Sequence, residues 1–204
     1  MIVRHDGSAV ILTPTKTGTR SLEAALLGQG WEVRMPRHGK QHSFVDLRPR
    51  VFVTIRHPYA RLVSAFTYGT AQGYSGWFLD KVKKGDRRPG AFNQFVLAWI
   101  EDWDARYEKL AHHDWLALQS DYVEAANLAP NRGVSVLRLE DGGTRGALQK
   151  LSRHLRKVAV VDAPIKNRSR DAPERWQNLW TERLVHAVGS RLDPDLALGG
   201  YVRP

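Results

Sequence analysis

Lys16 stands among small polar residues, Pro14-Thr15-Lys16-Thr17-Gly18-Thr19-Arg20-Ser21, directly after the apolar run Ala9-Val10-Ile11-Leu12. An amine, closely spaced hydroxyls and a glycine in so short a segment suit one kind of chemistry, the holding of an oxyanion. The amphipathic stretch that follows (Leu22, Ala25, Leu26) makes the segment a strand, a tight turn and a helix. The first N–H groups of a helix lack carbonyl partners and carry a partial positive charge, so they favour phosphate or sulfate. Lys16 adds a full charge to that cup, and Thr17, Thr19 and Ser21 add hydroxyl donors. The common nucleotide loop, G-x-x-x-x-G-K-[ST], places its lysine after the last glycine and a magnesium-holding hydroxyl after that. Here Lys16 precedes Gly18.

A second group of candidate residues follows another apolar run, Val51-Phe52-Val53-Thr54-Ile55, which has the pattern of a buried strand. It continues as Arg56-His57-Pro58-Tyr59-Ala60-Arg61-Leu62-Val63-Ser64-Ala65-Phe66. Pro58 suits the first turn of a helix, where its missing N–H costs nothing. Arg56 then lies at the strand's C-terminal end, with Ser64 about two helical turns further on. Between the two groups runs Arg37-His38-Gly39-Lys40-Gln41-His42-Ser43-Phe44, which offers two of the chain's eight histidines. Histidine near its own pKa is suited to taking a proton from an attacking hydroxyl.

The loop 14–21 resembles the 5′-phosphosulfate loop of sulfotransferases that use 3′-phosphoadenosine 5′-phosphosulfate (PAPS). The segment from Arg56 resembles that family's R-x-P-x-x-R-x-x-S-x-F signature at Arg56, Pro58, Arg61, Ser64 and Phe66. His57 departs from the acidic residue or asparagine often found there. The resemblance implies a three-layer α/β sandwich around a mostly parallel sheet, a P-loop-like sulfotransferase fold. It also implies that Thr15, Lys16, Thr17, Gly18, Thr19, Arg20 and Ser21 cradle the donor's 5′-phosphosulfate, and that Arg56 and Ser64 hold its 3′-phosphate. Carbohydrate sulfotransferases carry a catalytic histidine in the interval between the two motifs, which points to His42 first and His38 second. Ala163-Pro164-Ile165-Lys166-Asn167-Arg168-Ser169 is similar to the family's C-terminal nucleotide loop and adds Lys166 and Arg168.

The reaction so implied is an in-line displacement. The acceptor oxygen attacks sulfur, the bridging oxygen leaves with the 5′-phosphate, and Lys16 with the loop N–H groups meets the charge where it develops. PAPS is then the donor co-substrate. No metal is required, because fixed cationic donors already hold the leaving group. The acceptor is a small-molecule or carbohydrate hydroxyl.

These residues need elements to position them, and the chain supplies an alternation. Strand 9–13 leads into helix 19–28, and Trp31–Met35 reads as a short strand. A polar loop over 36–50 precedes strand 51–55 and the helix from Pro58. The Gly-, Lys- and Arg-rich stretch from Gly69 to Gly90 reads as a mobile segment or lid. Phe92, Phe95, Val96, Trp99 and Trp103 give 91–110 the period of a helix with an apolar face. Strand Val134–Leu139 and a basic helix over 145–157 follow. A polar loop over Asp162–Ala172 and one last helix over Pro173–Leu192 complete the order. Alternating strands and helices imply an α/β fold in a single domain spanning 1–204.

Composition agrees with an enzyme of this size: 204 residues, 42% hydrophobic and 25% charged. The net charge of +10, with 22 arginines among the basic residues, points to anionic partners. No cysteine is present, so there is neither a disulfide framework nor a thiolate metal site. Residues 1–7 lack the apolar core of a signal peptide, and no run has the length of a membrane span, so a cytoplasmic location with no membrane partner is expected.

Two other readings draw on the same residues. A P-loop phosphotransferase needs a carboxylate at a strand end to hold magnesium. Arg56 occupies one such end, although Val134–Leu139 runs into Glu140-Asp141. A non-enzymatic polyanion binder would use the charge alone. The basic residues are dispersed, however, and no zinc-finger, RRM or basic-zipper pattern marks a specific nucleic-acid site.

Overall fold

The structure, a computed structural model, describes residues 1–34, 49–72, 82–110, 117–127, 133–156, 158–161 and 176–204. In chain order its strands and helices are β1 (Ile2–Arg4), β2 (Ala9–Leu12), α1 (Thr19–Leu26), β3 (Trp31–Val33), β4 (Arg50–Ile55), α2 (Pro58–Gln72) and α3 (Pro89–Leu110). Then follow α4 (Ser120–Asn127), β5 (Ser135–Arg138), α5 (Gly143–His154), a 3₁₀ turn (Trp176–Leu179), α6 (Glu182–Val188) and α7 (Asp193–Gly199). The chain is α/β. By its contacts the chain divides into two compact units, Met1–Arg56 with Leu118–Asn167 and His57–Ala117 with Arg168–Pro204.

The first unit holds a five-stranded sheet in the order β3-β1-β2-β4-β5. Strands β2, β4 and β5 run parallel, with Ile11 opposite Phe52 and Val53 opposite Val136. The sheet is mixed through one reversed strand: β1 pairs antiparallel with both β2 and β3, so β3 runs in the same direction as β2, β4 and β5. The cause is a tight turn after β1. Gly7 adopts φ 69° and donates its N–H to Arg4 O at 2.9 Å, while Asp6 Oδ1 accepts from the Ser8 N–H and hydroxyl (2.9 and 2.6 Å). An Asp-Gly pair that accepts a left-handed backbone is well suited to reversing a chain into a hairpin.

Period-2 alternation assigns the two faces of the sheet. Ile2, Ala9, Ile11, Phe52 and Leu137 share a core cluster with Leu22, Ala25 and Leu26 of α1 and Ala147, Leu148 and Leu151 of α5. The alternate residues Val3, Val10, Leu12, Val53 and Ile55 are buried too, and α4 packs beside β4. With both faces buried, the parallel strands read as continuous apolar runs.

The second unit is helical and aromatic at its centre. Phe66 of α2 meets Phe92 of α3 edge-on at 5.3 Å, and Phe92 meets Trp180 in the same manner at 5.1 Å. Trp99 is buried as well, so this stripe of α3 is core, as its spacing indicates. The single last helix expected over 173–192 does not form. Residues 173–175 lie outside the described residues, and the rest splits into the 3₁₀ turn and α6. Thr181 starts α6 by accepting the Leu184 N–H at 3.2 Å, and Gly189 at φ 58° ends it. Pro194 then opens α7 in its first turn.

Candidate functional site

The edge of the sheet formed by the C-terminal ends of β2, β4 and β5 gathers most of the predicted residues that the structure describes. After β2 the chain leads by α1 toward β3 on one side of the sheet, while β4 lies on the other. In open α/β sheets such a switch in strand order leaves a crevice beyond the strand ends where ligands bind. The loop 13–18 leaves the sheet there, and Arg56 follows the last residue of the neighbouring strand.

The loop is held from beneath. Thr17 Oγ1 lies 2.6 Å from Pro14 O and 2.7 Å from Thr54 Oγ1, and both threonines are buried. A carbonyl only accepts, so the Thr17 hydroxyl donates to Pro14 and the Thr54 hydroxyl donates to Thr17. Thr17 was expected among the donors to an anion, yet its hydroxyl proton is committed within the loop. Thr54, which sequence reasoning missed as a site residue, fastens that loop to β4.

Two residues of the turn take left-handed backbone, Lys16 at φ 68° and Gly18 at φ 77°. For Gly18 the conformation is free of Cβ strain, and a Cβ there would meet Leu139 Cδ2 at 2.8 Å. For Lys16 it is uncommon and costs about 1–2 kcal/mol. Strain of this kind persists where surrounding structure fixes it.

Gly18 caps α1 without a side chain, and no acidic residue occupies the helix's first turn. The Ser21 and Leu22 N–H groups both turn back to Gly18 O at 3.1 Å. Those of Thr19 and Arg20, ahead of them, have no carbonyl four residues back within the helix. Thr19 Oγ1 is buried and has no hydrogen-bond partner among the described residues. Thr15 and Ser21 are buried, whereas Arg20 is exposed and lies 3.8 Å from Glu23, away from the cup.

Lys16 is partly buried, and burial together with the Arg56 charge lowers its pKa from 10.5 to about 8. Burial is the larger cause, because desolvation penalises the charged amine; the neighbouring guanidinium adds like-charge repulsion. Like charges so placed repel, and an anion bound beside them offsets that repulsion.

Arg56 is fixed through its backbone. Its N–H donates to Gln119 Oε1 at 2.7 Å, and its C=O accepts from Gln119 Nε2 at 2.8 Å. Gln119 is fully buried and lies 63 residues further along the chain, with no motif to mark it.

Other expectations fall elsewhere. Ser64 is half-buried on α2, in the second unit. In that unit Arg61, fixed in the signature, is buried and donates to Ala117 O at 2.7 Å. His57, where the signature departs from the family, donates through Nε2 to Val202 O at 3.0 Å. Its ring packs against Trp176 and Tyr201 at 4.6 and 4.8 Å, so the histidine anchors the chain's last residues. His42, His38, Lys166 and Arg168 lie outside the described residues, as do 73–81 of the expected lid and the loops 36–48 and 162–172. Among the described residues no three His, Asp or Glu side chains cluster as metal ligands, and no helix is long and apolar enough to cross a membrane. No family model, curated protein or solved structure matches the chain.

Proposed function

We propose that this protein is a PAPS-dependent sulfotransferase of the P-loop-like α/β kind, acting on a hydroxyl acceptor of the carbohydrate class. The observation that carries the reading is Lys16. It precedes Gly18 in a strand–turn–helix loop, is held in a left-handed conformation, and stands near enough to Arg56 for the two charges to repel. An adenosine carrying phosphate groups at both ends brings an anion to each member of that pair. Lys16 and the N–H groups of Thr19 and Arg20 take the 5′-phosphosulfate, and Arg56 takes the 3′-phosphate. The resemblance gives Ser64 a share of the same phosphate.

The transfer balances without redox change. An acceptor oxygen forms a bond to sulfur while the bond from sulfur to the bridging phosphate oxygen breaks. The electron pair leaves with adenosine 3′,5′-bisphosphate, beside Lys16. The acceptor's proton passes to the histidine between the motifs, His42 by first choice. Lys16 is of most use here because the charge it meets grows as the bond breaks.

The phosphotransferase reading draws on one observation, that β5 runs into Glu140 and Asp141 at the same sheet edge. Asp141 lies 3.6 Å from Arg138, which already offsets its charge. Ligand-induced thermal shift separates the two readings. Protection by adenosine 3′,5′-bisphosphate exceeding that by ATP with magnesium supports the sulfotransferase. The reverse order supports the phosphotransferase.

A further inference from the structure

Arg56 sits one residue past the end of β4, where the ladder gives out. Ile55 O still accepts the Leu139 N–H at 2.9 Å, but the segment alongside has already turned away from β2 into the Lys16 loop. The N–H and C=O of Arg56 therefore need partners from outside the sheet. The Gln119 side chain provides both, at 2.7 and 2.8 Å. A primary amide carries the same donor and acceptor pair as a peptide group, so Gln119 acts as a one-residue strand. Gln119 is itself fixed, because Tyr122, fully buried, donates its N–H to Gln119 O at 3.2 Å as α4 begins. A fully buried polar side chain is disfavoured unless its hydrogen bonds are made. Packing alone would be served as well by an apolar residue.

Resting on the sulfotransferase reading, we infer that Gln119 is the positioning residue for Arg56, clamping its backbone so that the guanidinium faces the donor's 3′-phosphate. Gln119 touches no reacting atom. It acts by removing backbone freedom at the point where the phosphate-binding side chain branches off. A side chain held in place by its backbone binds an anion without first being ordered.

The test compares two ligands on the full chain, adenosine 3′,5′-bisphosphate and adenosine 5′-monophosphate, which differ only in the group Arg56 is to hold. Gln119→Met keeps the length and packing of the side chain and removes the amide. It is expected to weaken bisphosphate binding about tenfold while leaving monophosphate binding within about twofold. In an Arg56→Ala background the same substitution is expected to add no further loss. Equal weakening of both ligands, or an undiminished preference for the bisphosphate, overturns the clamp. Should Gln119→Met fail to fold, Gln119→Glu retains the acceptor for the Arg56 N–H, and the same preference ratio is read.

A ligand-free readout keeps the clamp testable if the sulfotransferase reading fails. Wild-type protein that binds both ligands equally overturns that reading. The Lys16 titration, followed by NMR of its side chain, then decides the clamp. Release of Arg56 moves the Lys16 midpoint upward, toward that of Arg56→Ala, whereas an unmoved midpoint overturns the clamp.

Discussion

Binding of adenosine 3′,5′-bisphosphate should draw a proton onto Lys16, and the size of the effect follows from the site. Without ligand, the amine's pKa is about 8 against an ordinary 10.5, lowered first by burial and then by Arg56. Lys16 is then about nine-tenths protonated at about pH 7 and about one-tenth protonated at about pH 9. A bound phosphate offsets both causes and returns the pKa toward its ordinary value. Binding therefore takes up about a tenth of a proton at the lower pH and about nine-tenths at the higher, and affinity falls about tenfold between them. The same shift governs stability. Between about 8 and 10.5 the unfolded chain holds a proton that the folded chain has lost, so stability rises with pH across that window. Below it Lys16 is charged in both states and the full penalty applies, on the order of 3 kcal/mol. Lys16→Met should thus raise the unfolding free energy near neutral pH while removing both the proton uptake and most of the affinity. Calorimetry in two buffers of different ionisation enthalpy measures the uptake. A proton count near zero throughout, or an affinity that does not change with pH, would refute the placement of Lys16 at the anion.

The remaining expectations concern how the loop and the second unit are held. Gly18→Ala forces a Cβ onto Leu139 and a left-handed alanine. It should cost about 1–2 kcal/mol from the backbone alone, read by urea unfolding, and abolish nucleotide protection. Thr17→Val leaves Pro14 O and the Thr54 hydroxyl without their buried partner and should cost about 1–3 kcal/mol, whereas Thr17→Ser should retain most of the wild-type stability. Thr181→Ala removes the cap of α6 and should cost about 1 kcal/mol, with nucleotide affinity unchanged.

The parts of this protein that were legible in its sequence are those whose signals are local. The β2 and β4 runs, and the Gly or Pro that ends each, carry their signal within a few residues. The positions of Lys16, Gly18 and Arg56 at strand ends follow from that. Buried parallel strands give continuous apolar runs, which mark an element without showing which way its neighbour runs. The antiparallel β1 therefore has no mark of its own beyond the turn signal in Asp6-Gly7. The last helix reads as longer than it is because Trp180, Leu184 and Val188 keep a helical period across a break at Thr181. The Gln119 clamp and the Thr54 fastening were not legible at all. Each joins positions far apart in the chain by hydrogen bonds that leave no spacing pattern, and a lone glutamine in Leu118-Gln119-Ser120 has nothing to distinguish it.

Sulfuryl transfer itself is the decisive measurement. The full chain is incubated with PAPS carrying labelled sulfate, a panel of hydroxyl acceptors and a chelator, and both products are followed. A sulfotransferase puts label on a carbohydrate-class acceptor, matched mole for mole by adenosine 3′,5′-bisphosphate and lost in Lys16→Ala. Bisphosphate release that persists unchanged in Lys16→Ala, or transfer of phosphate from ATP with magnesium and none of sulfate, would contradict the sulfotransferase reading.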